Sequence, residues 1–284
     1  MGEKDMTEKH LEAYNDVFAD IVNVLLFNAQ NRVKPEDLAE VTVKSQYKAD
    51  TGELHEEERD CAKYWSDSII KVAAIGIENQ TTVDNDMPLR TIAYDGASYR
   101  SQLLCGKKER YPVISIVLHF GDSKWYGAKK LSERVTVPQE LKPYFNDYEI
   151  KVFDIPYLTP QQVSEFKSDF RIVADYFVQM RMNKKYVPSK DTIKHVDAVL
   201  KMMSVFTNDT RFNKILEKTD GREVSNMCEA LDIAIAEGEA KGKMQAIIGA
   251  VKMLREVGLQ DSEIKLKLME TYELSAEDAD EFLS

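Results

Sequence analysis

The sequence lacks the marks of several large classes of protein. No apolar run approaches the roughly 20 residues that a membrane-spanning helix requires. The three cysteines, Cys61, Cys105 and Cys228, lie far apart without CxxC spacing, which argues against a disulfide framework and a zinc site. The N-terminus is charged and has no hydrophobic secretion segment. We therefore expect a protein of the reducing cytoplasm with no membrane partner.

The chain also lacks a strongly basic stripe, the usual footprint of a nucleic-acid-binding protein. Its net charge is −11 over 284 residues. The negative charge lies at the two ends, since residues 1–60 carry 15 acidic and 7 basic side chains and residues 235–284 carry 11 and 6. Residues 61–234 carry 23 acidic and 25 basic side chains. This distribution is compatible with handling DNA or RNA but does not require it.

One stretch, IIKVAAIGIENQTT at residues 69–82, is an apolar, β-branched run that ends in Glu78, Asn79 and Gln80. Such a run predicts a central strand buried on both faces. Side chains alternate along a strand, so Glu78 and Gln80 lie on one face and Asn79 on the other. Two oxygen-bearing side chains at the end of a rigid element suit a hard cation such as Mg²⁺. The alternative is that Glu78 only caps the strand and hydrogen-bonds a neighbouring loop.

The remaining segments alternate between helical and extended patterns. Apolar spacing predicts helices over residues 7–28, 87–104, 160–182, 189–206 and 223–257, with two short helices in the tail. Apolar or alternating runs predict further strands over residues 41–47, 111–120 and 149–155. These elements indicate a mixed α/β protein.

Two of the predicted helices carry candidate functional side chains. Asp16 and Asp20 lie four residues apart on the first helix, where they either form a solvated face or bring one carboxylate to the metal. On the helix after the central strand, Arg90 and Arg100 either brace the helix or contact a phosphate. Its apolar positions fit one stripe and comprise Leu89, Ile92, Ala93, Ala97, Leu103 and Leu104.

Basic and aromatic side chains interleave after the strand at 111–120: Lys124, Trp125, Tyr126, Lys129, Lys130 and Arg134. The pattern indicates nucleic-acid binding or, equally, an exposed loop with Trp125 packed beneath it. His119, on that strand, is either a satisfied core residue or a ligand, and the former is commoner.

Three segments together resemble one known family: RDCAKYW, the strand and loop GIENQTTVDNDMPLR, and the strand YPVISIVLHFG with its Trp125 loop. The family is the recombination-promoting nuclease (Rpn)/putative transposase family, within the PD-(D/E)xK, restriction-endonuclease-like superfamily of phosphodiesterases. The resemblance covers residues 7–180 and extends to the EGEAKGK helix and the tail. It implies an α/β (α+β mixed) core with a central mixed sheet flanked by helices, and a helical C-terminal extension.

The resemblance also implies a site for Mg²⁺, Mn²⁺ or Ca²⁺ formed by a first Asp and Glu78. Asp60, in the matching RDxAKxW context, and Asp67, nearer to Glu78 in sequence, are the two candidates, of which we favour Asp60. Asp16 matches an acidic position on the family's first helix and is a candidate third ligand. Gln80 replaces the superfamily's lysine, and an amide can hydrogen-bond a water but carries no positive charge.

We therefore expect a metal-dependent endodeoxyribonuclease linked to recombination, mobile elements or defence, with Asp60, Glu78 and Gln80 as its catalytic residues. The expected DNA contacts are Arg90, Arg100, Lys124, Lys129 and Lys130. A homodimer would supply two active sites for the two strands of a duplex. The alternative is an inactive nuclease fold that binds DNA or protein. We expect the nuclease-like domain at residues 1–222 and a helical interaction or oligomerisation region at residues 223–284.

Overall fold

The structure, a computed structural model, describes residues 11–41, 44–48, 54–58, 60–67, 70–105, 108–207, 211–212, 215 and 225–283. The chain divides into two compact units, Met1–Met227 and Cys228–Ser284. The expected domain boundary after residue 222 falls outside the described residues. Among the described helices, none is long and apolar enough to cross a membrane.

A five-stranded mixed sheet forms the centre of the first unit. The described strands are β1 (Leu38–Glu40), β2 (Lys44–Lys48), β3 (Leu54–Glu58), β4 (Cys61–Asp67), β5 (Ile70–Gln80), β6 (Val113–His119) and β7 (Lys151–Asp154). The sheet order is β1-β4-β5-β6-β7; pairing is antiparallel from β1 through β4 to β5 and parallel from β5 through β6 to β7. β2 and β3 form a separate hairpin.

Helices flank this sheet and make up the C-terminal unit. The described helices are α1 (Asn15–Phe27), α2 (Met87–Leu104), α3 (Pro160–Glu165), α4 (Phe170–Asn183), α5 (Val196–Thr207), α6 (Met227–Glu256), α7 (Asp261–Tyr272) and α8 (Ala276–Glu281). α2 connects the parallel strands β5 and β6, as a crossover helix does. The mixed α/β core and the helical C-terminal extension are therefore confirmed.

The central strands are buried because they are apolar on both faces. Ile75 and Ile77 of β5 and Ile116 and Leu118 of β6 have almost no exposed surface. This confirms the central strand expected from the β-branched run. The polar end of β5 is therefore attached to a strand at the buried centre of the sheet.

The first helix differs from the single helix expected over residues 7–28, of which residues 7–10 lie outside the described part. Leu11 and Glu12 are helical, but Tyr14 is extended (φ −72°, ψ 127°) and α1 starts only at Asn15. The Ala13 carbonyl accepts a hydrogen bond of 2.7 Å from Nζ of the buried Lys63 on β4. Because the helix is interrupted at Tyr14, the side chains of Leu11 and Glu12 do not continue the helical periodicity of α1.

α2 has the expected apolar stripe but turns it away from the sheet. Leu89, Ile92, Leu103 and Leu104 are 40%, 37%, 66% and 77% exposed. The buried side is mostly polar and comprises Thr91, Asp95, Ser98 and Gln102, with Met87, Pro88 and Tyr94. The pattern alone would have placed the apolar side inward.

The second unit has its own apolar core. Ile247 and Val251 of α6, Ile264 and Leu268 of α7 and Ala279 of α8 are buried together. Short connections join these three helices, so α7 and α8 fold back on the C-terminal half of α6.

Candidate metal and nucleic-acid site

The carboxyl ends of β5, β6 and β7 meet at one edge of the sheet because these strands are parallel. Gln80 lies in register with His119, and His119 lies in register with Asp154. Glu78, two residues before the end of β5, is only 1% exposed. A carboxylate with so little solvent costs free energy unless a positive charge or hydrogen-bond donors stabilise it.

Asp60 lies at this same edge. It directly precedes β4, whose first residue Cys61 pairs with Ile77 of β5. The backbone N–H of Asn79 donates a hydrogen bond of 2.7 Å to Asp60 Oδ2. The structure thus brings Asp60 to the end of β5, beside the backbone that carries Glu78.

Asp67, the other candidate for the first Asp, lies at the opposite end of the antiparallel hairpin that β4 and β5 form. Its side chain lies outside the described residues, but its backbone pairs with Ile70. Ile70 is eight residues before Glu78, about 26 Å along an extended strand at ~3.3 Å per residue. The structure does not bring Asp67 to Glu78.

Asp16 is engaged elsewhere as well. Its carboxylate accepts a hydrogen bond of 2.6 Å from Lys194 Nζ and lies 3.1 Å from His195 Nε2. Burial opposes ionisation of Asp16, but the hydrogen bonds from Lys194 and His195 outweigh it and lower its pKa. Asp20, four residues later, accepts from the backbone N–H groups of residues 167 and 168. Both carboxylates therefore hold α1 to later parts of the chain.

Glu12 is the carboxylate that the pattern missed. It is fully buried, and its Oε2 accepts a hydrogen bond of 2.9 Å from Asn79 Nδ2. Its Oε1 has no hydrogen-bond partner among the described residues. Burial raises the pKa of Glu12 to about 8; the Asn79 hydrogen bond opposes this and the charge of Asp60 adds to it. No sequence signal marked Glu12, because the break before α1 places it off the predicted helix face.

Asn79 links the two acids from opposite directions. Its backbone N–H binds Asp60, while its side chain, which is on the face of β5 opposite to Glu78, binds Glu12. Gln80, the next residue, is partly exposed, and its carbonyl accepts a hydrogen bond of 2.8 Å from the Phe120 N–H. Glu78 is therefore buried on one face of β5, the Asn79 side chain lies on the other face, and Gln80 is partly exposed at the end of the strand.

The acidic side chains at the edge offer oxygen atoms of the kind that hard divalent cations bind. Among the described residues, no three His, Cys, Asp or Glu side chains cluster as a complete metal cage. Mg²⁺ does not need one, because it binds through one or two carboxylates and keeps several waters. The proximity of Asp60 and Glu12 and the bare buried Oε1 of Glu12 are features that a nearby cation would stabilise. Asp60 and Glu78 are the donors that the strand ends offer.

The predicted basic contacts separate into two groups. Arg90 Nη1 lies 3.0 Å from Asp84 Oδ2. The charge of Glu78 also interacts with the Arg90 guanidinium, so Arg90 lies near the carboxyl end of β5. Arg100 is exposed and lies ten residues further along α2, about 15 Å away at 1.5 Å per residue. The structure does not bring Arg100 to the candidate site.

The loop after β6 packs against the loop after β5. The Ala128 N–H donates a hydrogen bond of 3.2 Å to Asn85 Oδ1. A Cβ on Gly127 would lie 2.4 Å from Val83 Cγ1, so only glycine permits this approach. The loop therefore carries Lys124, Lys129 and Lys130 at the same edge of the sheet as the carboxyl end of β5.

Trp125 and His119 form the inner layer of that loop. Trp125 is buried, and its backbone N–H donates a hydrogen bond of 2.8 Å to Asp154 Oδ1. His119 Nδ1 lies 2.8 Å from the same oxygen. His119 is thus a satisfied core residue at the edge, and Trp125 packs beneath the loop while Lys124 and Lys130 remain exposed.

Comparison with protein families decides the relationship. The model of a family described as "Putative transposase, YhgA-like" matches residues 73–214, half of the chain. The chain belongs to this family. Comparison with curated proteins and with solved structures finds no match.

Membership of the YhgA-like family confirms the resemblance drawn from the sequence motifs. It indicates a transposase- or nuclease-like role that involves DNA. The matched region contains Glu78, Asn79 and Gln80 at the end of β5, the loop with Trp125 and the helices up to α5. Glu12 and Asp60 lie before it.

Proposed function

We propose that the chain is a divalent-metal-dependent DNA endonuclease that hydrolyses phosphodiester bonds at the carboxyl edge of β5. One observation carries the proposal: the Asn79 N–H holds Asp60 at the strand end that bears the buried Glu78. Mg²⁺ is usually bound through one or two carboxylates and several waters, and Asp60 and Glu78 are two carboxylates at this end of β5. We connect this activity with recombination, mobile elements or defence against foreign DNA; the description of the family as a putative transposase supports the link to mobile elements.

Asp60 and Glu78 would hold Mg²⁺ or Mn²⁺, and Ca²⁺ would occupy the same oxygens. With a divalent ion bound there, these residues would hold a Lewis acid that can activate a water and stabilise negative charge on a phosphate. Asn79 positions Asp60 through its backbone, and Glu12 holds the Asn79 side chain from behind. Gln80 can orient a water through its amide, but it neither carries charge nor exchanges a proton.

The lysines of the Trp125 loop, Lys124, Lys129 and Lys130, are the proposed contacts to the DNA backbone, together with Arg90. Phosphate contacts of this kind fix the position of the duplex without reading its sequence. Cutting both strands of a duplex would take two copies of the chain.

A second candidate function is that of a DNA- or protein-binding module with a nuclease fold. Gln80 favours it, because the lysine that the superfamily uses at this position would supply positive charge near the reacting phosphate. In that case the carboxyl edge still binds metal and DNA but does not cut.

Cleavage of supercoiled plasmid tests both candidates. Wild-type protein in Mg²⁺ or Mn²⁺ should nick or linearise the plasmid, and EDTA should abolish this. Asp60→Asn and Glu78→Gln should each lower the rate by at least about 100-fold, because each removes a carboxylate that would hold the metal ion, and the ion would stabilise the transition state. Gln80→Lys should raise it.

Asp67→Asn is the matched control, since it removes the same charge at the far end of the hairpin. It should retain the wild-type rate. Loss of cleavage in Asp67→Asn with retention in Asp60→Asn would show that the assignment is wrong. A wild-type protein that shifts DNA on a gel without cutting it would support the binding module.

A further inference from the structure

The loop that follows β6 is held in place on the N-terminal side of Tyr126. The Tyr157 hydroxyl donates a hydrogen bond of 2.9 Å to the Asp122 carbonyl, and Lys124 Nζ lies 5.4 Å from the centre of the Tyr157 ring. Trp125 is buried, and its backbone N–H is bound at the end of β7. These contacts attach the first half of the loop to β7 and to the turn that follows it.

The residues on the C-terminal side of Tyr126 are held by a different element. Gly127 lies against Val83 of the loop after β5, and the Ala128 N–H is bound to the same loop. The indole N–H of Trp125 donates a hydrogen bond of 3.3 Å to the Ala128 carbonyl, which ties together the two residues that enclose Tyr126 and Gly127. The backbone is thus held both before and after Tyr126.

The Tyr126 side chain itself projects into solvent. It is 80% exposed, whereas that of Trp125 beside it is 6% exposed. Because the neighbouring backbone is held, the position of the ring depends mainly on the two side-chain torsions of Tyr126. A large amphipathic ring presented in this way loses little conformational entropy when a partner covers it.

The position of Tyr126 places its ring near the proposed cleavage site. Gly127 contacts Val83, which is three residues after Gln80, and three residues span at most ~11 Å of extended chain. A DNA strand rises ~3.4 Å per nucleotide along the helix axis, so this distance corresponds to about three nucleotides. Exposed lysines, Lys124 and Lys130, lie on either side of Tyr126 in the loop.

We propose that Tyr126 selects the DNA substrate by stacking its ring on an unpaired base close to the scissile phosphate. The preferred DNA therefore contains a single-stranded segment, as at a gap or a bulge. The inference rests on the proposed function for its DNA substrate, and it deepens that proposal by naming the kind of DNA. Tyr126 is a positioning residue that determines specificity and takes no part in hydrolysis.

The chemistry of the loop fits a polynucleotide with an accessible base. Lysines bind phosphates, while an exposed aromatic ring can stack on any base, because every base has a flat face. In a duplex, both faces of a base are already covered by its neighbours. Inserting a ring there means separating two base pairs first, at a cost similar to what the new contact contributes. An unpaired base offers its face without that cost.

The inference is tested by the affinity of the full-length chain for labelled DNA, measured by fluorescence anisotropy in EDTA so that the proposed cleavage does not occur. The DNAs are a paired duplex, the same duplex with a short gap in one strand, and a gapped duplex whose unpaired nucleotides lack their bases. Wild type should bind gapped DNA about 5- to 150-fold more tightly than paired DNA, the contribution of one stacked base. Removing the unpaired bases should abolish this preference.

Substitutions of Tyr126 assign the preference to its ring. Tyr126→Ala should bring the affinity for gapped DNA down to that for paired DNA, whereas Tyr126→Trp, which keeps an aromatic face, should retain the preference. The side chain is exposed, so both variants should melt at the wild-type temperature.

Two further variants are controls. Tyr144→Ala removes a tyrosine that is 82% exposed elsewhere and should retain the preference for gapped DNA. Lys130→Ala should weaken binding to all of the DNAs by the same factor, because phosphates are present in each of them.

Several outcomes would overturn the inference. Wild type that binds paired and gapped DNA equally, or that still prefers gapped DNA after its bases are removed, does not stack on a base. A preference that survives in Tyr126→Ala, or that is lost equally in Tyr144→Ala, does not come from the Tyr126 ring. A chain that binds none of the DNAs excludes the inference together with the proposed DNA substrate.

Failure of the inference is distinguishable from failure of the proposed nuclease activity. A chain that cuts plasmid in Mg²⁺ but shows no preference for gapped DNA is a nuclease without the proposed role of Tyr126. A chain that prefers gapped DNA through Tyr126 but cuts no plasmid is a binding module with that role.

Discussion

α1 and α2 both pack on the central sheet, but they bury opposite kinds of side chain. α1 buries Val17, Phe18, Ile21 and Val22, and its Phe27 ring contacts Trp65 of β4. α2 instead buries a largely polar side and leaves its apolar one outside. Apolar contact stabilises a helix without dictating one rotation, whereas hydrogen bonds to fixed partners dictate it. The comparison shows that α2 gives up apolar burial in exchange for a fixed orientation.

Removing an apolar anchor from α1 should have the largest effect. Phe18 is fully buried, so Phe18→Ala should lower the free energy of unfolding by about 3–5 kcal/mol through lost burial and a residual cavity. Leu103→Ala, on the exposed apolar side of α2, should cost less than about 0.5 kcal/mol, because Leu103 is already 66% exposed. Urea denaturation measures both, and equal costs would contradict the comparison.

Glu12 is the buried carboxylate that precedes α1, and its effect on stability should depend on pH. Because its pKa rises from the ordinary 4.5 to about 8 in the folded chain, the folded state holds a proton that the unfolded state has lost. Stability therefore falls as pH rises between these two values, by up to a few kcal/mol at ~1.4 kcal/mol per pKa unit. Glu12→Gln should remove this part of the pH dependence.

The measurement is the free energy of unfolding at pH 5 and pH 8 in EDTA, for wild type and Glu12→Gln. The advantage of the variant should be larger at pH 8. Parallel curves for the two proteins would show that Glu12 does not hold its proton. In Mg²⁺ the difference should shrink if a cation at the strand end stabilises the ionised form.

A smaller loss of stability than that of Phe18→Ala should come from the polar side of α2. Asp95→Ala leaves the hydroxyls of Ser115 and Tyr148 without their acceptor and should lower the free energy of unfolding by about 1–3 kcal/mol. Tyr148→Phe, which removes one of the two bonds, should cost less. If Asp95→Ala were as stable as wild type, the hydrogen bonds of Asp95 would contribute nothing to the stability of the fold.

The central strands and the family were predictable from the sequence because long β-branched runs and the ENQ and DxDMPLR motifs are local signals. The orientation of α2 was not, because Asp95 and Gln102 find their partners on other elements, one of them 53 residues away. Glu12 escaped notice for a similar reason, since Lys63 draws the Ala13 carbonyl out of helical phase. Site residues could be predicted where they follow the end of a strand. They could not be predicted where their position depends on contacts between distant segments.

The carboxylates of α1 have a consequence for the order in which the first unit can be completed on the ribosome. Asp20 binds backbone 147 and 148 residues later, and Asp16 binds Lys194 and His195. At ~5–20 residues per second, α1 must wait on the order of ten seconds or more for these partners to emerge. During that interval the apolar side of α1 has no final place. Such long-range closure is slow, and apolar surface that stays uncovered during synthesis is prone to aggregation.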